Sequence, residues 1–313
     1  MEISICPEDP LFSNPGNQNA LSRRPVPHHT TGPEQVLCSG GGGERHRTSR
    51  GRQSRNSTGD TDQHRVPRKR GPRPTHQRCT VIRACGFDPV PIISSRRLHS
   101  EQDRDGLLEA LSAAAAPARV ILVGGDPAIP AGPFEDSLAL LGSGALERHS
   151  IRQVGIVGYP EGHPKIDTGT LWRCLKWKVE FLQNAGCSVE ITTQFGFDAD
   201  AVVHWMTRLR HEGIDTPVRI GVPGPASVGN LLRYAQRFGV EPSADTARRY
   251  GLSTGELDRQ VGPERYWDQL TTGLDGGDFG IVLYHLYPFG GILEGVRWMN
   301  RQMPSLYGPS PTT

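Results

Sequence analysis

A short apolar run, a loop rich in glycine or proline and then a helical pattern recur six times from residue 88 onward. The strand-like runs are Asp88–Ile93, Arg119–Val123, Gln153–Val157, Ser188–Thr193, Pro217–Val222 and Phe279–Leu286. The helical patterns span about 101–116, 134–142, 168–185, 198–212, 226–238 and 291–301, with further helix between 243 and 272. Regular alternation of strands and helices predicts an α/β fold built on a mostly parallel sheet.

Such a sheet either closes into an eightfold barrel or stays open and doubly wound. The open dinucleotide-binding form requires a G-x-G-x-x-G turn after a strand, and none follows any of these runs. We therefore predict a β/α barrel of the TIM type. Only six of the eight units are visible, so we expect the first one or two units to be missing or not recognisable.

The first 80 residues differ sharply from the rest of the chain. They contain 14 apolar residues, about 18%, against about 41% afterwards, and 13 Lys and Arg against 7 Asp and Glu. This composition predicts a low-complexity, basic, disordered segment over 1–80, followed by a barrel domain over 81–304 and a tail over 305–313. The same composition would result if residues 1–80 were translated out of frame in place of the true start of the domain.

Other classes of protein are less favoured by the sequence. A basic nucleic-acid-binding arm would be expected to interleave aromatic residues, yet Phe12 is the only aromatic residue before Phe87. No apolar run reaches the roughly 18 residues of a membrane span, and no secretory signal pattern opens the chain. The six cysteines form no C-x-x-C pair, so we expect free thiols, no metal site and a cytoplasmic protein.

Unusual polar residues follow the strand-like runs, where a β/α barrel places its active site. Gly125 and Asp126 follow the second run, the loop 158–164 follows the third, and Gln194 follows the fourth. Each has a structural alternative: Asp126 suits a turn, His163 a loop backbone contact, and Lys178 a solvated helix face. Gln194 is harder to explain without a partner, because a buried amide requires hydrogen bonds.

Five segments carry a resemblance to a known family. They are Val123-Gly124-Gly125-Asp126-Pro127, Gly158-Tyr159-Pro160-Glu161-Gly162-His163-Pro164, the stretch Lys176–Lys178, Thr192-Thr193-Gln194-Phe195-Gly196-Phe197-Asp198, and His285-Leu286-Tyr287-Pro288-Phe289-Gly290-Gly291. Over about 85–302 the chain resembles the methylenetetrahydrofolate reductase family, particularly its short bacterial members.

The resemblance implies a β/α barrel that binds FAD and takes hydride from NADH or NADPH. Its reaction would reduce 5,10-methylenetetrahydrofolate to 5-methyltetrahydrofolate in one-carbon metabolism. Asp126 would be catalytic beside the flavin ring. The implied cofactor-binding residues are Gly125, Asp126, Gly158, Tyr159, His163 and Lys178, the last at the phosphates or ribityl chain. Gln194 and Tyr287 would bind substrate, with Gln194 pairing to the pterin or the nicotinamide.

The chain also departs from the family pattern. The family's glutamate general acid, in a Phe-Glu-Phe-like segment, has no counterpart in 1–87, and Gly124 stands where the family often has arginine. The segment between Lys178 and Gln194 is about five residues longer than in the family. A folate-binding barrel relative, serving one-carbon transfer or demethylation without reductase activity, therefore remains an alternative. The sequence leaves the oligomeric state open.

Overall fold

The computed structural model describes residues 3–5, 35–39, 74–240, 242–252 and 254–302. Eight parallel strands close into a barrel, in which each strand pairs with its neighbours in chain order and the last pairs with the first. The barrel strands are β1 (Ile3–Ile5), β2 (Gln35–Ser39), β3 (Asp88–Ser94), β4 (Val120–Val123), β5 (Gln153–Gly158), β6 (Ser188–Phe195), β7 (Val218–Pro223) and β8 (Val282–Tyr287). The predicted TIM-type α/β fold is confirmed.

The expectation of missing units at the start of the barrel is not confirmed. Strand β1 pairs with β8, with Ile3 opposite Tyr284, and β2 pairs with β3, with Gln35 opposite Asp88. Strands of three and five residues are too short to show a period of two, which is why the sequence did not reveal them. The predicted disorder of 1–80 and the tail 305–313 otherwise lie outside the described residues and stay predictions.

Helices surround the barrel on its outer side. They are α1 (Thr75–Ala84), α2 (Glu101–Ala115), α3 (Ser137–Gly142), α4 (Ala145–Arg148), α5 (Thr168–Asn184), α6 (Ala199–His211), α7 (Val228–Phe238), α8 (Ala244–Tyr250), α9 (Glu264–Leu274) and α10 (Ile292–Gln302). Helix α1 begins before residue 80, so the ordered domain extends further toward the amino terminus than predicted. A two-residue antiparallel ladder joins Ala226–Ser227 to Gln260–Val261.

Helix α5 illustrates how the sequence builds this outer layer. Its buried residues Trp172, Leu175, Val179 and Leu182 are spaced by three and four, which places them on one face against the barrel. The Asp167 carboxylate accepts a hydrogen bond from the Thr170 backbone N–H and so caps the first turn. No helix in the described part of the chain is both long and apolar enough to cross a membrane.

The barrel interior carries a buried ion cluster formed by Glu190, Arg219 and Arg119. The Glu190 carboxylate accepts hydrogen bonds of 2.9 and 3.1 Å from Arg219, and Arg119 Nη1 lies 2.5 Å from Glu190 Oε2. Register pairs Glu190 with Gly155, and Gly155 with Ile121, whose side chain packs inside the barrel. Since Arg119 precedes β4 and Arg219 is early in β7, this cluster lies toward the amino end of the strands.

Candidate functional site

The loop after β4 places Asp126 on the carboxyl rim of the barrel. Gly125, just before it, has a φ of +98°, and a Cβ there would lie 1.8 Å from Ser94 Oγ. The positive φ favours glycine at this position, and any side chain there would also force the Ser94 hydroxyl to move. The Asp126 carboxylate accepts two hydrogen bonds from Arg97, 3.1 Å from Nε and 2.6 Å from Nη2, with 61% of its side chain exposed.

Arg97 was missed in the sequence analysis. It lies in the 3₁₀ turn Ser95–Arg97 that directly follows β3, so the neighbouring strand end places it beside Asp126. A basic residue just after a strand end was the available signal. The ion pair gives this part of the rim a fixed carboxylate with its own counter-charge.

The loop after β5 brings Tyr159 and His163 together. Their rings meet edge to face with centroids 5.3 Å apart, and both side chains are half-buried. His163 Nδ1 accepts a hydrogen bond from the Lys165 backbone N–H at 3.1 Å, which fits a neutral imidazole. Partial burial, with the positive charge of Lys165, lowers the pKa of His163, and burial raises the pKa of Tyr159.

These shifts predict how stability depends on pH. Because the folded protein disfavours the protonated His163, the unfolded chain binds more protons below the ordinary pKa of about 6.5. The free energy of unfolding should therefore decrease as pH falls from about 6.5 toward the lowered pKa. Urea unfolding at several pH values measures this slope, and His163→Ala should flatten it. An unchanged slope in the variant would contradict the assignment.

Two cavities lie near the Tyr159 loop. The larger one lies between α5 and α6, at the carboxyl end of β5, and has a volume of about 410 Å³. Its lining includes Tyr159, Thr168, Trp172, His204, Trp205 and Arg208. The two tryptophan rings lie 5.7 Å apart, and the Arg208 guanidinium lies 4.4 Å from the centre of the Trp172 ring. The Arg208 guanidinium over the Trp172 ring is a cation–π contact, and it places a half-exposed positive charge at the cavity that suits a phosphate group.

Gly158 keeps the floor of this cavity open. A Cβ at this position would lie 2.9 Å from the Trp205 ring, so a larger residue would push α6 outward. Packing against Trp205 therefore explains the glycine at position 158 independently of any ligand contact.

Gln194, at the end of β6, already has a protein partner. Its side-chain amide donates a 2.7 Å hydrogen bond to the Phe238 carbonyl. A cavity of about 20 Å³, large enough for one water molecule, separates Gln194 from the Tyr159 loop and is lined by both. The structure therefore brings Gln194 and Tyr159 to one small space on the rim.

Lys178 lines neither cavity, although Leu175, about one helical turn earlier on α5, lines the larger one. Burial lowers the pKa of Lys178, weakly opposed by the nearby Cys174 and Asp136. Its predicted contact with the phosphates or ribityl chain of FAD stays a prediction.

Tyr287 ends β8 on the inner side of the rim. Its hydroxyl donates a 3.5 Å hydrogen bond to the Thr193 carbonyl, and its ring packs against His285, Phe195 and Phe289. The ring therefore belongs to an aromatic group at the mouth of the barrel.

Glu161 is a second residue that sequence reasoning missed. Its Oε1 accepts hydrogen bonds from the backbone N–H groups of Phe197 at 2.6 Å and Asp198 at 2.8 Å. Burial raises the pKa of Glu161, an effect that these two N–H groups oppose and the Asp198 charge reinforces. Its place inside the Tyr-Pro-Glu loop was the only available signal. Among the described residues, no group of three or more His, Cys, Asp or Glu could hold a metal ion.

Together these features define a parallel β/α barrel whose candidate site lies at the carboxyl ends of β4, β5, β6 and β8. Residues 147–287 match the family model of methylenetetrahydrofolate reductase. This part of the chain is similar to that family, and the resemblance predicted from the sequence is confirmed.

Two known proteins are similar to this chain. Methylenetetrahydrofolate reductase 2 of Saccharomyces cerevisiae is 31% identical over 86 residues, which cover 26% of this chain and 14% of the yeast protein. A protein from Clostridium thermocellum that binds two copies of 5-methyl-5,6,7,8-tetrahydrofolic acid superposes with a TM-score of 0.51 at 11% identity. That superposition covers 92% of this chain and 89% of the other, and it shows a shared fold.

Proposed function

We propose that this protein is an FAD-dependent reductase that converts 5,10-methylenetetrahydrofolate to 5-methyltetrahydrofolate with NADH or NADPH. The family match supports a role in folate one-carbon chemistry. The observation that carries the finer proposal is the cavity of about 410 Å³, which the Tyr159 loop shares with Trp172 and Arg208.

The cavity residues fit part of an FAD molecule. Arg208 offers guanidinium donors to a diphosphate, and Trp172 and Trp205, which are only 6% and 7% exposed, form the apolar wall beside it. Gly158 keeps the floor of the cavity clear of a side chain that would press on the Trp205 ring. His163 and Tyr159 would then line the path from the cavity to the rim. When bound, FAD would supply the hydride-accepting and hydride-donating chemistry.

The remaining rim residues have roles that follow from their contacts. Asp126, held by Arg97, places a fixed negative charge where a flavin ring would face the rim, which tunes the ring's tendency to accept electrons. The hydrogen bond to Phe238 orients the Gln194 amide, leaving its oxygen to accept an N–H of a pterin or a carboxamide. Tyr287 provides an aromatic wall at the mouth of the barrel.

A folate-binding barrel without reductase activity is the second candidate. The absence of a recognisable Phe-Glu-Phe-like segment in 1–87 favours it.

The absorption spectrum of the purified protein, followed by titration with FAD, separates the two candidates. We expect a yellow protein that retains FAD through gel filtration. A colourless protein that binds 5-methyltetrahydrofolate but no FAD would reject the reductase and support the alternative.

The cavity assignment predicts which side chains retain FAD. Arg208→Gln should raise the Kd of FAD about tenfold or more, since it removes a charged donor that lines the cavity. His163→Ala and Lys178→Ala alter residues that lie beside lining residues, Gly162 and Leu175, so we expect smaller increases in Kd. Arg233→Gln is the matched control: its guanidinium also lies over an aromatic ring, Tyr234, but on α7. Equal Kd values for Arg208→Gln and Arg233→Gln would count against the cavity as the FAD site.

A further inference from the structure

We infer that Glu161 is a positioning residue that ties the loop carrying Tyr159 and His163 to the strand end carrying Gln194. This inference rests on the proposed function, because the two segments it joins are the proposed flavin side and substrate side of the site. Its carboxylate spans from the loop after β5 to the turn between β6 and α6, where it meets Phe197 and Asp198.

The tie depends on a single acceptor oxygen of the Glu161 side chain. One oxygen, Oε1, accepts both backbone N–H groups, at 2.6 and 2.8 Å. Asp198 is the N-cap of α6, so these groups lie at the positive end of the helix dipole and favour a charged acceptor. The Asp198 side chain is occupied elsewhere, since it accepts hydrogen bonds from Ala201 N and Thr246 Oγ1.

The lack of a side chain at Gly196 leaves space for this carboxylate. A Cβ on Gly196 would lie 2.1 Å from Glu161 Oε1 and would expel the carboxylate. Glu161 and Gly196 also line the small cavity together with Tyr159 and Gln194. Displacement of Glu161 would therefore be transmitted to both segments, since Gln194 is three residues from Phe197.

Space filling alone does not explain why a carboxylate occupies position 161. Moving a carboxylate out of water is unfavourable, and here that burial is offset by two backbone hydrogen bonds to one oxygen. A residue that only filled space would be better served by an apolar side chain. The arrangement is the kind expected where two loops must keep a fixed relative position.

Hydrogen exchange tests the tie without any ligand. In the full-length protein, Glu161→Ala should speed amide exchange of the peptide containing Phe197 and Asp198 at least tenfold. Glu161→Gln should have a smaller effect, because its amide oxygen still accepts hydrogen bonds. Glu180→Gln, an exposed residue of α5, is the control and should leave exchange unchanged. Unchanged exchange in Glu161→Ala would overturn the inference, and Glu161→Gln serves alone if the alanine variant does not fold.

Kinetic and binding measurements test whether Glu161 positions the residues that bind folate. Glu161→Ala should raise the folate KM about tenfold with a smaller fall in kcat, and Glu161→Gln should recover most of the loss. Gln194→Ala should weaken folate binding strongly in the parent and much less in Glu161→Ala, since the amide is already misplaced. Faster exchange with a lower Tm but unchanged KM and kcat would overturn the positioning role. A parent that binds neither FAD nor folate would reject the proposed function, while the exchange result still decides whether Glu161 joins the loops.

Discussion

Asp126→Asn should raise the flavin midpoint potential by about 30 mV or more, which corresponds to about 1.4 kcal/mol for a two-electron couple. The substitution keeps the shape of the side chain but removes its charge. Arg97, which donates two hydrogen bonds to Asp126, would then be left as a net positive charge at the rim. A positive charge stabilises the more electron-rich reduced ring. Folate turnover should fall tenfold or more, and flavin reduction by NADH or NADPH should change less.

Arg97→Gln provides the opposite perturbation. It leaves the Asp126 carboxylate without its counter-charge, so the midpoint potential should fall. The double variant should have a midpoint potential near that of the parent if the effects of the two charges are additive. Anaerobic half-reactions with a reduced nicotinamide and then with the folate measure each step separately. Potentials that move in the same direction in both single variants would contradict the electrostatic role.

Glu190→Gln should destabilise the barrel by about 3–5 kcal/mol, the cost of breaking a buried ion pair by removing one partner. Both Arg119 and Arg219 bind this carboxylate, and the Glu190 and Arg219 side chains are only 5% and 1% exposed. Both arginines would lose their contact with this charge at positions that are largely shielded from solvent. Urea unfolding followed by circular dichroism measures the change.

Glu294→Gln is the matched control for that experiment. It breaks a pair with Arg297 in which both side chains are more than half exposed, so a change of at most about 1 kcal/mol is expected. If Glu190→Gln cost no more than this control, the interior cluster would contribute little to stability.

The strands and helices after residue 88 were predictable because their signals are local. Predicted runs such as Gln153–Val157 and Ser188–Thr193 differ from β5 and β6 by only one or two residues. The same is not true of β1 and β2. Their position depends on pairing with β8 and β3, and β1 pairs with residues about 280 positions away.

The candidate site was predictable to the extent that strand ends determine it. The sequence pointed to Tyr159 and Gln194, and both line one small cavity. Lys178 was placed in the site by motif position alone; it lies about one helical turn beyond Leu175, which lines the larger cavity, and its role stays a prediction. Arg97 and Glu161 were missed because their partners lie 29 to 37 residues away in the chain.

The pairing of β1 with β8 also has a consequence for the order of folding. Strands β3 to β8 can pair one after another as the chain emerges, since each meets its predecessor. Strand β1 cannot meet its second partner until nearly the whole chain has been synthesised. Contacts over such separations are slow to form, and a sheet edge that waits for its partner can pair with another molecule instead. The pairing of β1 with β8, which closes the barrel, is therefore the step at which folding competes with aggregation.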